Sequence, residues 1–240
     1  MNLIIDVGNT RIKCAVFNAS ELIHIEIFTG ELVVFEIEKI AKKYSCNRAI
    51  ISSVKKIKKN ILEEINSKID LIALNSSTKI PFNNKYGTPK TLGVDRIALV
   101  ASAVSKYPNK NVLVIDAGTC ITYDFVDREA NYYGGAISPG IKMRYKSLKH
   151  YTNKLPELEI GFVDSLMGNS TNESIHIGVT GGVINEIDSF INKYKEKNRN
   201  LTIVLTGGDV NFLAKNVKNS IFANPNFLLE GLNSILTYNI

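Results

Sequence analysis

LIIDVGNTRIKCAVF, residues 3–17, and VLVIDAGTCITYDFV, residues 112–126, repeat one pattern within a chain of 240 residues. Each stretch holds an apolar run, an Asp, a short segment with Gly and Thr, and a second apolar run. Apolar runs on both sides of a tight turn are typical of a β-hairpin. The repetition predicts a duplicated domain, with an N-terminal copy over residues 1–109 and a C-terminal copy over residues 110–240.

The turns of the two predicted hairpins have the composition of a phosphate-binding site. A glycine has no Cβ, so backbone N–H groups can approach a phosphate, and nearby Thr and Asn side chains add donors. Asp6 could hold a metal ion or its waters beside the phosphates, and Lys13 could add a cation. One such hairpin is better explained by ordinary turn chemistry. Two at matching positions favour a nucleoside triphosphate site.

The remaining pattern predicts an α/β fold in which each copy is a mixed sheet with helices on its faces. Residues 76–96 lack periodicity, and a long segment of this kind in a compact domain is usually functional. Asp209 is placed to begin a late helix. The predicted helices include 34–44, 58–68 and 97–106, and the predicted strands are 3–6, 11–17, 22–28, 49–52, 70–74, 112–116, 121–126, 132–136 and the apolar part of 201–210.

The composition is that of a globular enzyme without a secretory or membrane segment. Hydrophobic residues make up 45% of the chain and charged residues 22%, so a core can form without disulfides. The three cysteines lack metal-binding or redox spacing, and no basic leader precedes the first strand. No apolar run approaches the ~18 residues of a membrane span. We therefore expect a cytoplasmic protein without a membrane partner.

Several other function classes lack their signals in this sequence. The net charge of +6 comes mainly from lysines without interleaved aromatic residues, which favours solvated helix faces over a nucleic-acid surface. Neither the P-loop nor the dinucleotide-binding glycine pattern is present. The sequence GVTGGV, residues 178–183, could bind phosphate, but the helical pattern on both sides favours a site of close helix packing.

Five motifs follow one another along the chain: DVGNTRIK (6–13), YGTPKTLGVDR (86–96), DAGTCITYD (116–124), GGAISPG (134–140) and LTGGD (205–209). In this order they resemble the type III pantothenate kinases, which belong to the superfamily of actin, sugar kinases and heat-shock chaperone ATPases. The resemblance implies two duplicated ribonuclease H-like domains, each with a mixed five-stranded sheet. It also implies ATP-dependent phosphorylation of pantothenate to 4'-phosphopantothenate, the first step of coenzyme A synthesis.

The same resemblance implies roles for individual residues. Asp95 would accept the proton of the substrate hydroxyl, and Asp116 would ligate a monovalent cation, potassium or ammonium, while magnesium accompanies ATP. Tyr86 would line the pantothenate pocket of a homodimer. The other implied contacts are to ATP for Asp6, Val7, Gly8, Asn9, Thr10, Arg11, Ile12, Lys13 and Thr119, and to pantothenate for Gly93, Val94, Asp95, Arg96 and Thr171.

The chain departs from the family pattern at residues 168–171. The family usually has Gly-Lys-Asn-Thr there, whereas this chain has GNST, so Asn169 and Ser170 replace a Lys and an Asn. Thr171 keeps the implied pantothenate contact, while the detail of the pocket around it differs.

Alternative interpretations stay open at this point. Asp95 and Arg96 fit a proton acceptor beside a partner for a carboxylate substrate, and equally an ion pair at the start of a helix. The whole chain could also be a non-catalytic regulatory or binding protein, or a kinase or ATPase for another small acid. The presence of Asp6, Asp116 and Thr119 together with Asp95 favours an active enzyme.

Overall fold

The first quoted stretch folds as a β-hairpin in the computed structural model, which describes residues 1–30, 32 and 34–240. β1 (Asn2–Val7) pairs antiparallel with β2 (Ile12–Asn18), which pairs antiparallel with β3 (Glu21–Phe28). β4 (Arg48–Ser53) lies parallel to β1 on its other side, and β5 (Asp70–Ala73) lies parallel to β4 at the edge. This five-stranded sheet, in the order β3-β2-β1-β4-β5, confirms the predicted mixed sheet.

The second quoted stretch forms the same arrangement. β7 (Val112–Ala117) pairs antiparallel with β8 (Cys120–Val126), and β9 (Asn131–Pro139) is the next neighbour of β8. β10 (Thr202–Thr206) lies parallel to β7, and β11 (Phe222–Ala223) lies parallel to β10. These five strands, read from β9 to β11, repeat the strand order of the first sheet, and the duplication is confirmed.

The second sheet also has a sixth strand, where the resemblance implied five. β6 (Asn83–Asn84) pairs in parallel with Asn131 and Tyr132 at the start of β9. It lies within residues 76–96, and a single turn of 3-10 helix, Pro89–Thr91, follows it. Two residues are too few to leave an alternating pattern, so the sequence does not indicate this strand.

The helices pack on the faces of the two sheets. One face of the first sheet packs against the first two helices, and this face carries Leu3, Ile5 and Val7. The second sheet packs against the fourth to the seventh helices. The third and eighth helices contact each other and β4 on the opposite face of the first sheet. In chain order the helices are α1 (Val34–Lys43), α2 (Lys59–Asn66), α3 (Val94–Lys106), α4 (Ile141–Tyr151), α5 (Thr171–His176), α6 (Gly182–Lys197), α7 (Val210–Asn216) and α8 (Phe227–Tyr238).

The chain forms two compact units that interleave in sequence. Unit 1 comprises Met1–Asn109, Glu129–Tyr133 and Asn226–Ile240, and unit 2 comprises Lys110–Arg128 and Gly134–Pro225. α8 therefore belongs to unit 1, although it is the last helix of the chain. The division into duplicated segments 1–109 and 110–240 stays a prediction. In the described part of the chain, no helix has the length and apolar character needed to cross a membrane.

Candidate active site

The first hairpin turn exposes polar groups at the carboxyl end of β1. The turn, residues 8–11, is closed by a 3.0 Å hydrogen bond from the amide of Gly8 to the carbonyl oxygen of Arg11. Asn9, Thr10 and Arg11 are exposed, as a phosphate site requires. The side chains of Val7 and Ile12, by contrast, lie in the core. These last two residues can therefore offer only backbone groups to a ligand.

Asp6 lies at the end of β1 between two polar neighbours. It is opposite Lys13 on β2 and opposite Ser52 on β4. Residues directly opposite one another on adjacent strands point to the same face of a sheet. Because the alternate residues of β1 pack under α1 and α2, the side chains of Asp6, Lys13 and Ser52 lie on the face that carries α3.

The electrostatics of Asp6 are those of a buried carboxyl group. Burial raises its pKa from 3.8 to about 6, against a lowering effect of the Lys13 ammonium group and with an added raising effect of the Asp95 carboxylate. The influence of Asp95 shows that the two carboxyl groups are near each other within unit 1. A divalent cation bound at Asp6 would stabilise the charged carboxylate and oppose this effect.

Asp95 and Arg96 lie in the first turn of α3, whereas the sequence predicted an irregular loop up to residue 96. The helix begins at Val94, after an extended N-cap residue, Gly93. The Asp95 carboxylate accepts a 2.8 Å hydrogen bond from the Arg96 amide, one of the amides that a helix start leaves without an intrahelical partner. This interaction explains the earlier start of the helix, and it places Asp95 on a rigid element.

Arg96 is held against an aromatic pair in unit 1. The residue is 5% exposed, and its guanidinium carbon lies 5.6 Å from the centroid of the Tyr86 ring. Tyr86 in turn stacks on Tyr132, with 6.1 Å between the ring centroids. A guanidinium group held over a ring keeps a fixed plane, which suits bidentate binding of a carboxylate.

In unit 2, two predicted motifs meet at the turn of the second hairpin. The turn lies at Gly118 and Thr119, between β7 and β8. A Cβ on Gly140, the last residue of GGAISPG, would overlap the carbonyl oxygens of both turn residues. A Cβ on Gly207, in LTGGD, would overlap the carbonyl oxygen of Ala117, and the φ of Gly207 is +97°. Only glycine fits both contacts, so these motifs shape the turn.

Asp116 is the penultimate residue of β7, as Asp6 is of β1. It lies opposite Thr122 on β8 and Thr206 on β10, and its Oδ1 atom would be 2.5 Å from a Cβ on Gly207. In the described ranges, no group of three or more His, Cys, Asp or Glu side chains could hold a metal ion. A cation at Asp116 would therefore take its other ligands from backbone, hydroxyl or water oxygens, which suit hard cations.

A charged network holds the segment that precedes Gly140. Arg144 donates hydrogen bonds to the Pro139 carbonyl oxygen at 2.9 Å, to Ser138 Oγ at 2.8 Å and to Glu186 at 2.6 Å. Tyr123 on β8 donates to the other Glu186 oxygen at 2.9 Å. Burial alone would raise the pKa of Glu186, but the hydrogen bonds from Arg144, Ser138 and Tyr123 outweigh it and lower the pKa. The network fixes β8 and the end of β9 to each other.

Thr171 lies at a separate place in unit 2, in the wall of a cavity of about 830 Å³. Arg144, Ser170, Ser174 and Gly178 line the same cavity. Ser170 is the N-cap of α5, and its hydroxyl accepts a hydrogen bond from the backbone of the first turn. The replacement of the family's Asn by Ser170 therefore keeps a capping residue beside Thr171.

The glycine-rich sequence GVTGGV is not the close packing site that its helical flanks predicted. Residues Ile177–Gly181 form a π-helical segment between α5 and α6. A Cβ on Gly178, Gly181 or Gly182 would meet no atom within 4 Å, so no neighbouring helix requires glycine there. A π-helical segment is a widened turn that often occurs at functional sites, and this one borders the Thr171 cavity.

Within each unit, the structure brings several predicted residues together. Asp6, Lys13 and Asp95 form one electrostatic group in unit 1, and Tyr86 and Arg96 form a second. In unit 2, Asp116 and Thr119 belong to the second hairpin, while Thr171 lies on α5.

Sequence reasoning missed three kinds of residue around these groups. Ser52 is a polar residue at the end of an apolar strand, a signal that could have been used. Tyr132 gives no signal, because its partner Tyr86 is distant in sequence. The Arg144–Glu186 pair joins two helices and leaves no short-range pattern.

Comparison with known proteins gives consistent matches over the whole chain. Residues 2–193 match the family model for type III pantothenate kinase. The chain is similar to the type III pantothenate kinase of Flavobacterium johnsoniae, with 47% identity over 241 residues that cover 100% of this chain and 99% of the relative. The corresponding enzyme of Flavobacterium psychrophilum is 48% identical, with 99% of each chain covered.

Comparison with solved structures finds a similar fold in other proteins. A Campylobacter jejuni protein assigned to the Baf family of transcriptional activators has a TM-score of 0.65 at 20% identity, and 99% of this chain and 98% of that one are covered. A glucokinase from an Antarctic psychrotroph has a TM-score of 0.56 at 13% identity, with the same coverage. At these identities the likeness concerns the fold alone, which this chain shares with the glucokinase.

Proposed function

The chain belongs to the type III pantothenate kinase family, and we propose that it transfers the γ-phosphoryl group of ATP to pantothenate. The product is 4'-phosphopantothenate, and the reaction begins coenzyme A synthesis. One observation supports this proposal most: in unit 1, Asp6 lies beside Lys13 at a glycine turn and is near enough to Asp95 for their charges to interact. Phosphoryl transfer needs such positioned charges more than covalent catalysis.

The first hairpin is the proposed phosphate site. The backbone amides of residues 9–11 and the Thr10 hydroxyl donate to phosphate oxygens, and Lys13 adds a positive charge. Asp6 holds magnesium, directly or through waters. The buried carboxyl group of Asp6 and the unpartnered hydroxyl of Ser52 beside it fit a hydrated magnesium ion. Magnesium, when bound, neutralises charge on the phosphates.

Asp95 is the proposed proton acceptor. The hydroxyl oxygen of pantothenate attacks the γ-phosphorus, the bond from that phosphorus to the bridging oxygen of ADP breaks, and the hydroxyl proton passes to Asp95. α3 keeps this carboxylate in place during the step. Arg96, with its plane fixed by Tyr86, binds the pantothenate carboxylate, and the backbone of Gly93 and Val94 completes that contact.

The second hairpin and α5 supply the remaining proposed contacts. Thr119 contacts ATP, and Asp116 binds potassium or ammonium near the phosphates. Thr171 contacts pantothenate, and the active form is a homodimer with that pocket near the subunit interface. We further propose that the enzyme works in the cytoplasm, with ATP and pantothenate as its ligands and neither a nucleic acid nor a membrane as partner.

A coupled assay of ADP release tests the proposed function. ADP release should require pantothenate as well as magnesium and ATP, and potassium should increase it. Release of ADP at the same rate without pantothenate would show an ATPase instead. ATP binding without any turnover would favour the non-catalytic alternative, and faster turnover of another small hydroxy acid would replace pantothenate as the substrate.

A further inference from the structure

A second cavity lies in unit 1, apart from the residues assigned above. Its volume is about 620 Å³, and small-molecule sites typically span roughly 300–1,000 Å³. Its wall includes Asn233 of α8, which accepts a 2.8 Å hydrogen bond from Asn2 at the start of β1. Asp6 lies four residues further along β1, or about 13 Å at a rise of about 3.3 Å per residue. The cavity is therefore at the opposite end of β1 from the phosphate turn.

Ser102 gives the first sign that this cavity takes a polar ligand. Its side chain is on α3 and is 1% exposed, and within the described residues its hydroxyl has no hydrogen-bond partner. Buried polar groups in proteins are normally paired. Ser105 and Ser234 add hydroxyl groups to the same wall, and Phe17 adds an apolar surface. Hydroxyl groups both donate and accept hydrogen bonds.

An ion pair in the cavity wall indicates that the ligand carries both a positive and a negative charge. Lys106 Nζ lies 2.6 Å from Glu230 Oε2, and the two side chains are 41% and 21% exposed. An exposed ion pair contributes little to stability, so exchanging it for pairs with a ligand costs little. When it opens, a cation and an anion lie side by side, which matches the carboxylate and ammonium groups of a zwitterion. A phosphate group would meet the Glu230 carboxylate at the same place.

We propose that this cavity binds a small zwitterion of the amino-acid class. The ligand carboxylate pairs with Lys106, its ammonium group pairs with Glu230, and a polar side chain reaches the Ser102 hydroxyl. The cavity is a binding site separate from the phosphate turn, and it does not depend on the identity of the kinase substrate.

Calorimetric titration of the full-length protein tests this site, with L-serine as the probe. L-serine should bind saturably and at least tenfold more tightly than L-serine amide, which lacks the carboxylate, or 3-hydroxypropionate, which lacks the ammonium group. Lys106→Met and Glu230→Gln should each weaken L-serine binding at least tenfold. Lys59→Met is the matched control, because it breaks an exposed Lys–Glu pair elsewhere, Lys59 with Glu63 at 3.3 Å.

Three outcomes would overturn the proposal. One is the absence of saturable binding of L-serine. Another is that inorganic phosphate, L-serine amide or 3-hydroxypropionate binds as tightly as L-serine. The third is a Kd for L-serine that Lys106→Met and Glu230→Gln leave unchanged, while a thermal melt shows both variants folded.

A different observation concerns Ser52, in the proposed phosphate site. Ser52 is fully buried, and its hydroxyl has no hydrogen-bond partner in the part of the chain that the structure describes. The next residue, Ser53, is partly exposed, donates to the Lys55 carbonyl oxygen at 2.7 Å and accepts from the Lys55 amide at 3.1 Å. The two serines therefore differ: the Ser53 hydroxyl closes a local turn, whereas the Ser52 hydroxyl has no partner among the described residues.

The strand register places the Ser52 side chain beside that of Asp6. It lies opposite Asp6 in the parallel register of β1 and β4, so both side chains point to the α3 face. The equivalent strand of the second sheet also has a hydroxyl residue at this place, because Thr206 lies opposite Asp116. In both sheets a hydroxyl group therefore accompanies the Asp at the end of the central strand.

We infer that Ser52 is a positioning residue for magnesium-bound ATP. Its hydroxyl would orient the hydrated magnesium ion that Asp6 would hold when the nucleotide binds. Magnesium keeps several of its waters in protein sites, and partners in the outer shell orient the inner ligands. This inference rests on the proposed function for the nucleotide, ATP, and for the magnesium ion at Asp6, but not for the identity of the phosphate acceptor.

Ser52→Ala separates this role from a structural one. A structural hydroxyl would lower the thermal midpoint of the ligand-free protein when removed, whereas an unpartnered one should leave it unchanged or raise it. We expect the Kd for magnesium–ATP, measured by calorimetry, to rise roughly tenfold or more, with the KM for pantothenate unchanged. Ser53→Ala should show the reverse, a lower midpoint and unchanged nucleotide binding.

Failure of the inference is distinct from failure of the proposed function. An unchanged Kd for magnesium–ATP in Ser52→Ala, or a lower midpoint with no change in Kd, would refute the role of Ser52. Ser52→Cys, close in volume, repeats the test if the alanine variant misfolds. If the wild type does not phosphorylate pantothenate but Ser52→Ala still weakens nucleotide binding, the function fails and the role of Ser52 stands.

Discussion

Asp6 illustrates at the residue scale how a binding site opposes stability. The folded chain holds the carboxyl proton up to about pH 6, whereas the unfolded chain releases it near pH 3.8. Between these values the unfolded state binds fewer protons, so the contribution of Asp6 to stability falls as pH rises and is fully lost above pH 6. Asp6→Asn should therefore raise the free energy of unfolding of the ligand-free protein at pH 7.5 by on the order of 2 kcal/mol.

Denaturant titrations at several pH values check this prediction. The advantage of Asp6→Asn should be small near pH 4, should grow up to about pH 6 and should stay constant above it. Asp164→Asn, at an exposed site, is the control for the loss of one carboxylate charge. Magnesium–ATP binding should weaken in Asp6→Asn at every pH. Equal stability of the variant and the wild type at pH 7.5 would contradict the conclusion that burial raises the pKa of Asp6.

Asp95→Asn tests the proton acceptor without disturbing the helix. The amide oxygen of Asn can still accept the hydrogen bond from the Arg96 amide, so the thermal midpoint should not change. Turnover should fall by about 10²–10⁴-fold, the usual effect of losing a general base, while ATP still binds. Wild-type turnover at saturating substrate would leave Asp95 with only its helix-terminal role.

At the element scale, the second hairpin turn depends on two glycines from distant motifs. The added Cβ in Gly140→Ala or Gly207→Ala should displace the backbone at the turn of residues 118–119. Each variant should therefore have a lower thermal midpoint and a higher KM for ATP. Gly182→Ala is the matched control: its Cβ would meet no atom within 4 Å, and alanine in a helix gains up to about 1 kcal/mol over glycine. Its midpoint should rise or stay constant. Equal behaviour of all three variants would contradict the packing of the motifs on the turn.

The elements also show how far the sequence predicts the fold. β1, β2, β7 and β8 follow from apolar runs around a turn, because those signals are local. The sequence predicted the start of α3 at residue 97, whereas the helix begins at Val94. The hydrogen bond from the Arg96 amide to the Asp95 side chain stabilises this first turn, and the apolar pattern does not reveal it. Pairing between distant segments, as for β6 with β9 or Tyr86 with Tyr132, leaves no periodic signal. The candidate site residues that lie in motifs could be named from the sequence, whereas those that depend on strand register, such as Ser52, could not.

At the scale of the whole molecule, the two copies share a topology but differ in charge at equivalent positions. In the first sheet the residue opposite Asp6 on the returning strand is Lys13, whereas in the second sheet the residue opposite Asp116 is Thr122. The first copy therefore has a built-in cation beside its Asp, and the second copy has a hydroxyl group there. A monovalent cation at Asp116 would be the counterpart of the Lys13 ammonium group.

The family resemblance implies activation by potassium, and a cation at Asp116 would fit this asymmetry. The initial rate, measured against potassium concentration at constant ionic strength and fixed magnesium, should rise to saturation. Ammonium should act in the same way, and sodium, with its smaller radius, should act poorly. Asp116→Asn should weaken the activation and leave the fold intact, because the amide is nearly isosteric with the carboxylate. Lys13→Ala is the complementary variant: it should raise the KM for ATP more than that for pantothenate and leave the potassium dependence in place. A flat potassium response in the wild type would show that the second copy needs no such cation, and Asp116 would then act through magnesium-bound water.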